Sequence, residues 1–392
     1  MTTQPSPTLG GFIAGITPAA VCAALLCLMT LHSFAAPEAL DPKLATSHGT
    51  DGVAWFDAKL LNVEGRGWTD TETFYDRLPA RDEGKVREPV WNLSRYSAGM
   101  CVRFETDATA MQARWVLANS WIYLQNMAAT GVSGLDLYVR TPEGPWRWLG
   151  LGIPSGQTNQ AKLAENLPPG KREYLLYLPL HNGVRSLEIG VPPGATLAKA
   201  GPWGPGERKP IVFYGTSIEH GLCASRPGMV HSAILSRRFN WPFLNLGFSG
   251  QGKMEPEMAD LFAELDPAVY VLDCLPNMVA SELKERVEPF VRKLRQAHPK
   301  TPIVLVEDRS MGDAWLVPGR RQYHLSSRAE LTAAFERLKK SGVEGLYYLP
   351  GEHLVGDDGE GLTDGSHPND LGFMRQADAF AKVLEPLLKA AK

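Results

Sequence analysis

Three side chains in this 392-residue chain have the types and spacing for acyl transfer: Ser217, Asp364 and His367. Asp364 and His367 stand three apart in Leu362-Thr-Asp364-Gly-Ser-His367-Pro. That spacing puts a carboxylate and an imidazole on one short turn. The carboxylate can then hold the ring in one tautomer and stabilise its protonated form, as a base that deprotonates a serine hydroxyl requires. Ser217 sits in Ile211-Val-Phe-Tyr-Gly215-Thr-Ser217-Ile-Glu-His220-Gly, two residues after an apolar run breaks at a glycine. Two further segments could supply donors to a developing oxyanion. Gly250, in Asn245-Leu-Gly-Phe-Ser-Gly250, lets a backbone N–H approach a ligand closely. Asn277, in Asp273-Cys-Leu-Pro-Asn277-Met, carries a side-chain NH₂. Each also has an ordinary reading: Ser as a helix cap, Gly and Asn as turn residues, Asp-x-x-His as a polar loop before a helix.

The elements that must position these groups are short apolar runs alternating with amphipathic stretches. Strands are expected at 211–214, 243–246, 269–272, 303–306 and 346–349, and helices at 229–239, 255–265, 281–297, 328–341 and 370–388. Such alternation means a parallel sheet covered by helices on both faces, with ligands bound beyond the carboxyl ends of the strands. Ser217, Gly250, Asn277 and the Asp364–His367 turn all fall at such ends or in the last loop. Upstream, residues 48–200 read differently. Met100–Thr106, Met111–Val116, Gly134–Arg140, Trp146–Leu149, Tyr174–Leu178 and Ser186–Val191 alternate apolar and polar residues between Pro- and Gly-rich turns, as in an all-β sandwich. Gly201-Pro-Trp-Gly-Pro-Gly206 reads as part of a linker over 201–208, which leaves 209–392 as the α/β domain.

Composition bounds the function. A formal net charge of −3 and the absence of any basic run argue against nucleic-acid binding. From Gly11 to Leu31 the chain is nearly all apolar and ends near Ser33-Phe-Ala-Ala36, so residues 1–35 read as a signal peptide, or as an anchor helix if retained. The expected location is periplasmic or secreted, with membrane attachment only in the anchored case. Cys101, Cys223 and Cys274 show no metal-binding spacing. Cys223 and Cys274 could pair in an oxidising compartment, but burial as small apolar groups is the plainer expectation.

Taken together, Gly215-Thr-Ser217, Asn245-Leu-Gly-Phe-Ser-Gly250, Asn277 and Asp364-Gly-Ser-His367-Pro resemble the four sequence blocks of the SGNH (GDSL-type) hydrolases, over about residues 209–390. Thr216 stands where that family most often has Asp, and Pro276 and Met278 depart from the usual context of the third block. The resemblance implies a flavodoxin-like three-layer α/β/α domain, here behind an all-β, jelly-roll-like sandwich. It also implies Ser217 as nucleophile, His367 as base and Asp364 as its orienting acid. The oxyanion donors would be Ser217, Gly250 and Asn277, and no metal or cofactor is required. A β-sandwich ahead of such a domain is similar to the arrangement of bacterial carbohydrate esterases. The implied substrate is therefore a small acyl ester, acetyl in the first instance, on a carbohydrate. A lipase or thioesterase acting on longer chains is the alternative, and a non-catalytic carbohydrate-binding protein a third reading.

Other patterns are excluded or secondary. Residue 219 is Glu, so the Gly-x-Ser-x-Gly elbow fails, and neither a phosphate-binding loop nor His-Glu-x-x-His occurs. His220 is expected to line the pocket, and His353 to be an ordinary loop residue. Arg226 could contact substrate, although a surface ion pair is simpler for it, as for Asp308 and Arg309. No long apolar lid is evident. Trp115, Trp121, Tyr123, Trp146 and Trp148 fill a core or, if exposed, suit sugar rings.

Overall fold

A computed structural model describes residues 38–48, 52–204, 206 and 208–391. The signal-like segment lies outside the described residues. Strands β1 (Ile211–Gly215), β2 (Phe243–Gly247), β3 (Val269–Asp273), β4 (Ile303–Val306) and β5 (Leu346–Leu349) form one parallel sheet in the order β2-β1-β3-β4-β5. That is the flavodoxin-like 2-1-3-4-5 order. Every residue of β1, β2 and β3 is buried, because apolar side chains on both faces meet helices. The helices are α1 (Ser217–His220), α2 (His231–Phe239), α3 (Pro256–Phe262), α4 (Ala280–Ala297), α5 (Pro318–Lys340) and α6 (Asp370–Ala390). Val212, Tyr214, Leu272 and Leu305 pack one face against α3, α4 and α5, whereas Phe213, Val271 and Val304 pack the other against α2 and α6.

The strand ends are in register: Gly215 lies opposite Gly247 on one side and Asp273 on the other. The loops carrying Ser217, Gly250 and Asn277 therefore leave the sheet at one level. This is how segments distant in sequence come to share one edge.

Upstream, two antiparallel sheets enclose a separate core that includes Phe104, Trp115, Leu137, Tyr174 and Ile189. One sheet has the order 47–48, 54–57, 184–191, 111–117, 158–164. The other has 197–199, 101–106, 172–177, 135–140, 146–152, with 62–64 beside 101–106. All six strands expected here are present. The sandwich and the α/β part also share an interior. Cys101, Tyr138, Trp146, Leu175 and Tyr177 belong to the same buried cluster as Phe213, Val271 and Phe380. Within 201–208, Trp203 is buried, and the Gly201 carbonyl accepts from Arg103 Nη2 at 2.5 Å. Residues 37–392 accordingly form a single compact unit.

Arg77, in the connection after the first strands, is buried and binds four backbone carbonyls. It donates to Leu93 and Gly247 at 2.7 Å, to Tyr96 at 2.9 Å and to Asn245 at 3.2 Å. Burial lowers its pKa to about 9, with weaker opposing effects from Tyr96 and Asp76. Carbonyl dipoles solvate this cation, and two of them belong to β2 just before the Gly250 loop.

Candidate active site

Ser217 is the first residue of α1. Thr216 caps the helix, its Oγ1 accepting from Ile218 N at 3.3 Å, and Gly221, at φ +98°, ends it after one turn. The serine is thereby held on a tight bend directly past β1. Its Oγ lies 2.9 Å from Nε2 of His367. On the far side of the ring, Nδ1 lies 2.8 Å from Asp364 Oδ2. Asp364 Oδ1 accepts the backbone N–H groups of His367 at 2.9 Å and Ser366 at 3.1 Å, which fixes the turn. The three side chains picked out by spacing thus form one continuous hydrogen-bonded chain.

Burial alone would raise the Asp364 carboxyl. The His367 backbone N–H, the His367 ring and an amide from Asn126 outweigh it and hold the group well below the usual carboxylate range. Asp364 is therefore an anion over the working pH range. An anion at Nδ1 fixes the proton there and leaves Nε2 as acceptor toward the serine.

Gly250 adopts φ +71°, a left-handed conformation that glycine takes without strain. Among the described residues, its N–H and that of Ser217 make no hydrogen bond. Asn277 Oδ1 accepts from Gly252 N at 3.2 Å, which turns its NH₂ the other way. Gly252 is needed for close approach, since a Cβ there would lie 2.1 Å from the Gly215 carbonyl. The Gly250 loop, Asn277 and the nucleophile turn therefore pack directly on one another. Attack on a carbonyl requires N–H donors beside a hydroxyl and its base, and the N–H groups of Ser217 and Gly250 are the candidates.

Other expectations need correction. His220 does not line an open pocket; it is fully buried, stacked on His181 at 4.2 Å and 3.4 Å from Arg77 Nη2. Arg226 is engaged within the protein, 2.8 Å from the buried carboxylate of Asp136 and bonded to Tyr138 Oη. Asp308 and Arg309 are buried rather than on the surface. Arg309 pairs with Asp273 at 2.5 Å and with Gln376, while Asp308 accepts from His324 and Arg328. His353 is an exposed loop residue paired with Asp357. All three described cysteines are buried free thiols, and burial raises Cys223 to about 11. Of the five aromatics, Trp115 and Trp146 fill cores, while Trp121, Tyr123 and Trp148 are exposed. An exposed apolar segment, Trp315-Leu316-Val317, also borders the Asp364–His367 turn, where Gly312 N donates to Gly365 O at 2.7 Å. It opens on a cavity of about 520 Å³ lined in part by Met311, Trp315, His324 and Leu362.

Among the described residues, two groups of three side chains have the donors to hold a cation: Cys223, Asp364 and His367, and the buried Glu219, His231 and Asp273. In each, two of the three donors already bond one another, and Asp273 is paired with Arg309. Glu219 Oε1 and His231 Nε2 are 2.6 Å apart, a proton-sharing distance shorter than two ligands of one metal ion usually keep.

The comparisons bear on the fold and the family. The model of the GDSL-like lipase/acylhydrolase family matches residues 208–385, and that of the N-terminus of SGNH-hydrolase-type esterases matches residues 53–197. A Bacteroides ovatus protein described as GDSL-like lipase superposes with TM-score 0.81 at 35% identity, covering 86% of this chain and 98% of that one. The chain belongs to the GDSL-like (SGNH) lipase/acylhydrolase family and is an ester hydrolase of that family. The salicylyl-acyltransferase SsfX3 of a tetracycline biosynthetic pathway shares the fold at TM-score 0.68 and 20% identity, over 86% of this chain and 98% of that one. So does a family two carbohydrate esterase from Cellvibrio japonicus, at TM-score 0.55 and 14% identity, over 87% and 99%. No curated protein matches the chain.

Proposed function

We propose that the chain is an exported serine esterase that removes a small acyl group, acetyl in the first instance, from a carbohydrate. The observation that carries the mechanism is the unbroken Ser217–His367–Asp364 hydrogen-bond chain. His367 Nε2 takes the hydroxyl proton as Ser217 Oγ attacks the ester carbonyl. The N–H groups of Ser217 and Gly250, with the Asn277 amide, receive the oxyanion. Collapse breaks the bond to the alcohol, which leaves with the proton from His367, and the acyl group stays on Ser217. Water, deprotonated by the same imidazole, then releases the carboxylic acid and restores the serine.

The carbohydrate reading is supported by the architecture shared with carbohydrate esterases and by the exposed Trp121, Tyr123 and Trp148. The apolar segment Trp315–Val317 beside its cavity favours a second reading, hydrolysis of longer acyl chains. Turnover of p-nitrophenyl acetate, p-nitrophenyl octanoate and acetylated xylan separates the two. Acetate release from xylan, with octanoate turned over at about a tenth of the acetate rate or less, is expected for the first. The reverse preference selects the second, and a soluble, folded protein inert toward all three would leave only a binding role.

Export is inferred from the apolar run ending at Ser33-Phe-Ala-Ala36. Mass spectrometry of protein produced in a bacterial host should find a mature N-terminus near Pro37. An intact Met1 terminus in the cytoplasmic fraction would refute it.

A further inference from the structure

Asp364 Oδ2 accepts two hydrogen bonds: one from the His367 ring, and a second from Asn126 Nδ2 at 2.8 Å. Its other donors, the N–H groups of Ser366 and His367, come from its own turn. Asn126 lies 238 residues upstream, in the sandwich half of the chain. A carboxylate is an acceptor only, so the amide must present its NH₂.

The segment bearing Asn126 is built to hold it still. Leu124 and Met127 exchange both backbone hydrogen bonds, at 3.1 and 3.2 Å, leaving Gln125 and Asn126 at the tip of a two-residue turn. Met127 is buried in the interior shared by the two halves. At the base, Asn182 is fully buried; its Nδ2 donates to the carbonyls of Asn119 at 3.2 Å and Trp121 at 2.9 Å, and its Oδ1 accepts from Asn119 N at 3.1 Å. Thr130 Oγ1 ties the other end to Ser225 O at 2.5 Å, in the loop following the nucleophile.

We infer that Asn126 is a positioning residue: it fixes Asp364 Oδ2 so that one lone pair faces His367 Nδ1, and thereby brings the sandwich half into the catalytic machinery. The inference rests on the triad assignment above. Removing a donor to a charged acceptor lets the carboxylate rotate away from the ring, at a cost of about tenfold to a hundredfold in kcat for Asn126→Ala. KM for p-nitrophenyl acetate should change little, since the amide touches the carboxylate and not the ester.

The deciding variant is the isosteric Asn126→Asp. It keeps size and turn preference but replaces the donor with an acid facing Asp364. The other titratable or charged groups close to the pair are Cys223, His181, Arg320, Tyr323 and Tyr123. Catalysis needs neutral His367, and a second carboxylate nearby stabilises the imidazolium. The acid limb of kcat/KM should therefore move to higher pH, with kcat reduced at least as far as in Asn126→Ala. An Asn126→Asp enzyme with kcat within about twofold of the parent and an unmoved acid limb would overturn the inference, because pure packing tolerates an isostere. If Ser217→Ala kept its activity, the triad assignment would fall first. Full dependence on Ser217 alongside an unaffected Asn126→Asp would sink this inference alone.

Discussion

Ser217→Ala is expected to lower kcat toward p-nitrophenyl acetate by at least about 10⁴-fold, to the level that oxyanion donors and binding sustain without a nucleophile. The substitution removes one oxygen from a side chain that is 7% exposed, at the start of a helix whose cap is Thr216 rather than Ser217. The cap, the Gly221 terminus and the surrounding core are untouched, so circular dichroism and the melting transition should be unchanged. His367→Ala should fall nearly as far, and the double variant little further, because the two side chains act on one proton and their effects do not add. A Ser217→Ala enzyme retaining a few per cent of activity would remove Ser217 from the mechanism.

The second large effect concerns stability. His181 and His220 stack on each other with Arg77 close by, and burial strips both of water. Burial, reinforced by Arg77 and His367, lowers His181 from 6.5 to about 3. Burial, with His181 and Arg77, drives His220 well below its ordinary value. Both are neutral in the fold. On unfolding below pH 6.5, each imidazole is free to take up a proton that the native state refuses. Their stabilising contribution is therefore complete above about pH 6.5 and is lost as pH falls from there toward the depressed native values. Between pH 7 and 5 this amounts to about 2 kcal/mol for His181, and His220 acts in the same direction. Asp273 acts in the opposite sense. Burial raises it to about 6 despite Arg309, so the native state binds its proton first and gains about 1 kcal/mol over the same interval. The histidine pair is expected to make the protein less stable at pH 5 than at pH 7, with Asp273 offsetting part of the loss. Urea unfolding at the two pH values measures it, and a His181→Gln variant should flatten the slope. An unchanged slope in His181→Gln would show that the pair is not neutral in the fold.

The parallel sheet was legible because its strands are continuous apolar runs; each begins where the sequence places it, and three extend one residue further, into Gly215, Gly247 and Asp273. The Asp364–His367 turn was legible because its hydrogen bonding is local, with the two residues three apart. Helix α5 begins at Pro318, ten residues before the apolar periodicity starts, because its first turns are largely exposed and carry Arg320, Arg321 and Gln322. The strand Thr158–Ala164 was hidden for a similar reason: at a sheet edge, Thr-Asn-Gln-Ala-Lys-Leu-Ala faces solvent with every second residue or more. Arg77, Asn126 and the His181–His220 stack left no trace in any window. Their partners lie far along the chain, and a polar residue destined for the interior looks like one destined for the surface. Asp308 and Arg309 were misplaced on that account.

The cluster linking Cys101, Tyr138 and Tyr177 to Phe213 and Phe380 has a corollary for folding. The Gly- and Pro-rich joint looks like a place where modules could be exchanged, yet cutting there would strand aromatic and aliphatic surface from both sides in water. The two parts are thus expected to fold as a unit. Exchanging the front half for an unrelated module would have to rebuild that buried surface, whereas changes in the loops at the strand ends would leave it intact.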